Sequence, residues 1–251
     1  MITFSNVETH FSNKSIGPFN FRIKRGQTIA ILGPSGVGKS TLIKLLSGEV
    51  QPRFGQIHLN GKHIKNWSLS ELSQFRAVLP QSYEMAFDLD VALTVSLGRA
   101  SRFDDIRSGL FVDEALACAS AFHLKKRQFH SLSGGEKARV QLARVFCQLW
   151  DRRDGILLMD EPVASLDPGL QHQILKSAKQ FCEARDLAMV AVLHDINQAL
   201  IYFDQILAVY DQKNPKCMDA NFKALQELEA LYQTPLKILR DFSGKAYVFP
   251  R

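Results

Sequence analysis

No stretch of this sequence approaches the ~20 consecutive apolar residues that a membrane-spanning helix requires. The chain is therefore not expected to cross a bilayer by itself, although 46% of its residues are hydrophobic. The first residues, MITFSNVETH, lack the basic and apolar regions of a secretory leader, so a cytosolic location is expected. Cysteine is scarce. Cys118, Cys147, Cys182 and Cys217 show no CxxC spacing, which argues against a disulfide or zinc framework and reads as reduced thiols. Long runs of one charge are also missing. Basic residues outnumber acidic ones 31 to 25, a net charge of +6, yet the longest basic run is Lys125 to Arg127. A scattered excess describes a solvated surface better than a nucleic-acid or lipid face, and no nucleic-acid partner is expected. There is no internal repeat and no low-complexity segment.

What is present is a chain of 251 residues, long enough for one large domain (1–251) with a subdomain. MITFSNV and FNFRIKRG alternate apolar and polar residues, as half-buried antiparallel strands do. TIAIL (Thr28 to Leu32) reads as a buried strand, followed by a glycine-rich turn and an apolar-periodic helix stopped near Gly48. GQIHLNG suggests a short edge strand, SLSELSQF a helix capped by its first serine, and RAVLPQ a strand stopped by Pro80. Residues 85–150 turn helical, with Val112, Leu116, Ala119 and Phe122 spaced along one face. Strands resume at ILLMD, AMVAVLHD and QILAVYD, separated by helices at Pro168 to Arg185 and Ile196 to Phe203. Fully apolar strands alternating with helices imply an α/β fold with a parallel sheet covered on both faces. A C-terminal tail, 212–251, carries a late amphipathic helix in NFKALQELEALYQT.

GPSGVGKST comprises Gly33, Pro34, Ser35, Gly36, Val37, Gly38, Lys39, Ser40 and Thr41, and its first eight residues fit G-x-x-x-x-G-K-[ST]. It follows a strand and opens a helix, the context that separates a phosphate loop from a chance glycine-rich turn. Glycines let backbone N–H groups ring a phosphate chain at a helix N-terminus. Lys39 is expected at the β- and γ-phosphates, and the Ser40 hydroxyl on Mg²⁺. ILLMDEP places Asp160 and Glu161 at the end of a buried strand. Asp160 suits a Mg²⁺ ligand, and Glu161 a base for the attacking water. Alone, the same pair could simply cap a turn.

The phosphate loop is shared by kinases, GTPases and ATPases. LSGGE (Leu132 to Glu136) narrows the field. Together with GPSGVGKST, LPQ at Leu79 to Gln81, MDEP and His194 after AMVAVL, it resembles the ATP-binding cassette of ABC proteins, in order from about Ile2 to Asp211. The resemblance implies a P-loop NTPase core with an N-terminal antiparallel β subdomain and a helical subdomain. It implies ATP and Mg²⁺ as ligands and a head-to-tail homodimer burying two ATP molecules. In that arrangement Ser133, Gly134 and Gly135 would meet the γ-phosphate held by the partner, and the two glycines, adding nothing to a core, would permit close approach. By the same resemblance Gln81 contacts Mg²⁺ or the lytic water, His194 the γ-phosphate, and Asp167 the dimer interface. Here Val163, Ala164 and Ser165 depart from the usual order before Asp167. Phe11 fits two readings, a ring stacked on adenine or a core residue at a strand end.

One cassette without a membrane span resembles the bacterial importers, whose translocation path belongs to two polytopic permease subunits fed by a periplasmic ligand-binding protein. Such a chain sits at the cytoplasmic face of the inner membrane. RVQLARVFCQLW, the segment Leu79 to Arg99 and VLHDINQALIYFDQILAV resemble the branch importing hemin, ferric siderophores and cobalamin, and hemin importers most. The same resemblance implies a final strand after the helix of the tail. No residue here reads the cargo. DQKNPKCMDANF departs from the family's usual hairpin, and Asp88 and Asp90 fit either a contact to a permease loop or a solvated acidic loop. A soluble ABC ATPase acting on DNA or ribosomes usually carries two cassettes or a coiled-coil insertion, absent here. An unrelated P-loop kinase would lack LSGGE and His194.

Overall fold

The computed structural model describes residues 1–11, 14–81, 87–102, 108–211 and 214–251. The chain begins with β1 (Ile2–Phe11), β2 (Lys14–Ile23), β3 (Thr28–Leu32), α1 (Lys39–Ser47), β4 (Phe54–Leu59) and β5 (Lys62–His63). It continues through α2 (Leu69–Phe75), β6 (Arg76–Leu79), α3 (Val91–Ser96), α4 (Ser108–Cys118), α5 (Gly134–Leu149), β7 (Ile156–Asp160) and α6 (Pro168–Glu183). It ends with β8 (Ala188–Val192), α7 (Ile196–Tyr202), β9 (Gln205–Ala208), β10 (Lys216–Asp219), α8 (Leu225–Tyr232), β11 (Leu236–Arg240) and β12 (Ala246–Pro250). Contacts divide it into two units, Met1–Lys65 with Ala191–Arg251, and Asn66–Val190.

In the first unit β1 and β2 pair antiparallel, and the sheet runs β2-β1-β4-β5. Alternation buries Ile2 and Phe4, Val7 is buried beyond a register irregularity at the left-handed Asn6, and Phe4 stacks on Phe21 at 4.5 Å. GQIHLNG is not the edge expected from sequence: β4 lies between β1 and the two-residue β5, which takes the edge. All five residues of β3 are buried, and burial of Ile29, Ile31 and Leu32 is worth about 1.5–3 kcal/mol each. β3 pairs parallel with β9, from Ile29 opposite Gln205 to Leu32 opposite Ala208. The Thr28 hydroxyl donates to Asp204 Oδ2 at 2.7 Å and pins the register. β10 adds antiparallel to β9, a strand the sequence pattern did not reveal. The tail carries two final strands where one was expected. β11 and β12 form a hairpin whose turn is held by Asp241 Oδ1, which accepts from the N–H groups of Ser243 and Lys245 at 2.9 Å each.

In the second unit β6 and β7 pair parallel, from Arg76 opposite Ile156 to Leu79 opposite Met159. α5 packs against α3, α4 and α6, with Phe146 stacked on Phe181 at 4.1 Å. Val112, Leu116 and Ala119 are buried as their spacing predicts, but Phe122 is 52% exposed. α4 ends at Cys118 and Ser120 takes a left-handed φ of 54°, so the helical period stops before Phe122. The Asp90 carboxylate caps α3 by accepting from Leu93 N–H at 2.7 Å, while the exposed Asp88 faces His130 at 3.6 Å. Among the described residues no helix is long and apolar enough to cross a membrane.

Candidate functional site: a phosphate loop, a carboxylate turn and a capped signature helix

The turn after β3 builds its own anion site. Gly38, the N-cap of α1, has φ 100°, a conformation open to glycine, and offers no side chain to cap the helix. No side chain caps the N-terminus of α1, and the dipole of that helix end favours an anion. Lys39 is 5% exposed, and its ammonium donates to Gly33 O and Pro34 O at 2.9 Å each. It is folded against the loop it would serve, so it can exchange these carbonyls for phosphate oxygens without leaving the turn. Ser35 and Gly36 are exposed, Val37 and Thr41 buried, and Ser40 half-buried. Phe11 closes β1 opposite Lys14, and its ring lies outside the described residues. Residues 82–86, within the segment Leu79 to Arg99, lie outside them also.

His194 follows β8 in the same unit. The Leu193 N–H donates to Ile31 O at 3.1 Å, so the loop leaves the sheet at a fixed point. Asp195 then caps α7 by accepting from Asn197 N–H at 2.7 Å. His194 is exposed and borders a cavity of about 550 Å³.

The carboxylates lie in the second unit. Asp160 ends β7 half-buried, as its four apolar predecessors predict. Glu161 has a left-handed φ of 48°, a strained conformation for a non-glycine residue, and its carboxylate accepts from Gln81 Nε2 at 3.0 Å. The expected water-orienting pair is therefore brought together by residues eighty positions apart. Among the described residues no three His, Cys, Asp or Glu converge to hold a metal unaided. The oxygen donors Ser40, Gln81 and Asp160 suit Mg²⁺, which is usually held by one or two carboxylates plus substrate phosphates. Ser40 belongs to the first unit, Gln81 and Asp160 to the second.

Ser133 is the N-cap of α5 in a capping box with Glu136. The Glu136 N–H donates to Ser133 Oγ at 3.3 Å, and the Ser133 N–H and hydroxyl donate to Glu136 Oε2 at 2.8 and 2.9 Å. Arg127 completes the cluster, donating to Glu136 Oε1 at 2.9 Å. These hydrogen bonds from Ser133, aided by Arg127, hold the Glu136 carboxyl below its usual range. The sequence reading missed Glu136 as a supporting residue, though S-x-x-E before an apolar run is the signal that finds it. The two glycines separate in role. A Cβ on Gly134 would meet nothing within 4 Å, whereas one on Gly135 would lie 2.5 Å from Leu170 Cδ2. Gly135 thus serves the packing of α5 on α6, contrary to the expectation that neither glycine contributes to a core. The Asp167 carboxylate caps α6, accepting from Leu170 N–H at 3.0 Å. The loop before it is tied to α6 by Gln171 Nε2, which donates to Val163 O and Leu166 O. Val163, at the departure from the usual order, is buried at 5% exposure.

The ABC transporter family matches residues 16–164 of the chain. The "Hemin import ATP-binding protein HmuV" of Methylobacillus flagellatus is 40% identical over 200 residues, 76% of this chain and 73% of that protein. The protein of the same name from Pseudomonas fluorescens is 36% identical over 245 residues, 93% of this chain and 95% of that one. Among solved structures, cbiO1 of Clostridium perfringens, part of the ABC transporter complex cbiONQ, superposes with a TM-score of 0.75 at 27% identity, covering 91% of this chain and 94% of that one. A family match over more than half of the sequence, with a relative that follows it over 93% of its length, establishes that the chain belongs to the ABC transporter family.

Proposed function

We propose that this chain is the ATP-hydrolysing subunit of a bacterial importer that takes up hemin through separate membrane subunits. The observation that carries the ATPase reading is the Gln81–Glu161 contact at the end of β7, in one chain with a phosphate loop whose Lys39 is folded onto the loop carbonyls. The cargo rests on the names of the relatives that follow the chain over most of its length.

The loop N–H groups and Lys39 hold the β- and γ-phosphates, and the buried stem of Lys39 fixes where its charge is presented. Bound Mg²⁺, with Ser40, Asp160 and Gln81 as ligands, would supply charge neutralisation at the phosphate oxygens. Glu161, oriented by Gln81, accepts the proton of a water whose oxygen bonds to the γ-phosphorus as the bond to the bridging oxygen breaks and ADP leaves. His194 donates to the γ-phosphate oxygens. Catalysis on this account is positioning plus electrostatic stabilisation, with little covalent work for the protein. Ser133, Gly134 and Gly135 at the N-terminus of α5 meet the γ-phosphate held by a second copy, and Asp167 lies at that interface. The open space over Gly134 and the dipole of a helix of 16 residues both suit an approaching anion. The chain works as a homodimer beneath two permease subunits, at the cytoplasmic face of the inner membrane, with a periplasmic ligand-binding protein delivering cargo. Phe11 stacks on adenine.

Growth tests the cargo. A strain lacking the gene, supplied with hemin, a ferric siderophore or cobalamin as the sole relevant source, is expected to fail on hemin. Wild-type protein should rescue it and Lys39→Ala should not. Undiminished growth on hemin with failure on another source would move the cargo to that ligand and leave the ATPase reading standing.

A further inference from the structure

We propose that Asn197 is a positioning residue for His194, and that it holds the histidine loop by gripping the last strand of the chain. The Asn197 side chain makes two hydrogen bonds to one residue of β12. Its Nδ2 donates to Val248 O at 3.0 Å, and its Oδ1 accepts from Val248 N–H at 2.7 Å. One amide thus satisfies both backbone groups of Val248, as a neighbouring strand would. Only Asn or Gln carries donor and acceptor on one such group.

The arrangement matters because of what lies on either side of His194. Upstream, the loop is tied to β3 through Leu193 and Ile31. Downstream it is tied through the first turn of α7, where Asp195 and Asn197 sit. Beside it lies the cavity of about 550 Å³, bordered by Ile196, Tyr232, Leu236, Val248 and Phe249. The backbone that carries the imidazole is anchored downstream by the pair of hydrogen bonds between Asn197 and Val248. β12 is itself held in register by β11, with Val248 opposite Ile238. The C-terminal hairpin, which the sequence pattern leaves without a role, becomes the fixed point against which the catalytic loop is set.

The inference rests on the assignment of His194 to the γ-phosphate, and the test keeps the two apart. Steady-state ATP turnover of the full-length chain is measured for Asn197→Ala, His194→Ala and the double variant, with the KM for ATP and the melting temperature of each. Asn197→Ala is expected to lower kcat on the order of 10-fold, the scale of a small misplacement of a reacting group, and to leave KM nearly unchanged. The double variant is expected to be no slower than His194→Ala, because Asn197 acts through the histidine. Asn197→Asp keeps the bond from Val248 N–H but sets its other oxygen against Val248 O, and should fall at least as far as Asn197→Ala. It carries the test if Asn197→Ala does not stay folded. Losses that multiply in the double variant, or wild-type kcat in both Asn197 variants while His194→Ala is inactive, would overturn the proposal. Wild-type turnover by His194→Ala would remove the histidine assignment, and the proposal with it.

Discussion

Gln81 Nε2 donates to Glu161 Oε2 across 3.0 Å, joining the residue after β6 to the residue after β7. Glu161 is held in a left-handed backbone conformation, so the turn alone does not fix where its carboxylate points. The amide of Gln81 supplies the missing constraint. Gln81→Ala should lower kcat about tenfold and leave ATP affinity near wild type, because the group that positions the base is lost while the phosphate loop is untouched. Gln81→Glu should be worse, since two carboxylates would then face each other. Stopped-flow nucleotide binding alongside steady-state turnover separates the two effects, and a change in affinity without a change in turnover would contradict this role.

The adjacent glycines of the signature helix are expected to separate in experiment. Gly135→Ala drives a methyl group toward Leu170 Cδ2, and the leucine must yield or α5 must shift from α6. A loss of about 1–3 kcal/mol is expected in chemical denaturation, typical of overpacking. Gly134→Ala meets no neighbour and should be neutral or stabilising by up to about 1 kcal/mol, because alanine is the better helix former. Its cost should appear only in nucleotide-dependent dimerisation, measured by light scattering with Mg²⁺-ATP. Equal stability losses in the two variants would contradict the separation.

The Ser133–Glu136 box gives a pH signature. The Glu136 carboxyl is held below its unfolded value near 4.5, first by the backbone and hydroxyl hydrogen bonds of Ser133. A depressed carboxyl stabilises fully above the unfolded value and loses that contribution as pH falls through the folded one. Ser133→Ala should therefore melt below wild type at neutral pH, by the ~1 kcal/mol typical of a lost N-cap, and the gap should narrow as pH falls below 4.5. Parallel melting curves across that range would show that the carboxyl does not depend on the serine.

β3 and β7 were legible to the residue because each is a short, fully apolar run bounded by polar and turn residues. The C′ glycine of α1 and the Ser68 cap of α2 were legible for the same local reason, since the signal sits in the element itself. Phe122 was misplaced because its spacing fits a helix that Ser120 has already ended, and a left-handed residue leaves no mark on periodicity. β5 and β10 escaped because edge strands bury little and carry no apolar run. The contact of Gly135 with Leu170 and the grip of Asn197 on Val248 join distant segments, and no local pattern encodes them. The phosphate loop and the carboxylates were readable because their chemistry fixes residue type and spacing together. What the sequence withheld was the support around them.

The central claim, that Glu161 is the base of an ATPase, meets its most direct test in Glu161→Gln. The amide keeps size and hydrogen bonding and cannot take the proton. ATP turnover should fall by at least ~100-fold, within the range general-base catalysis supplies, while ATP still binds and size-exclusion chromatography with Mg²⁺-ATP shows a trapped dimer. Turnover at the wild-type rate would contradict the account.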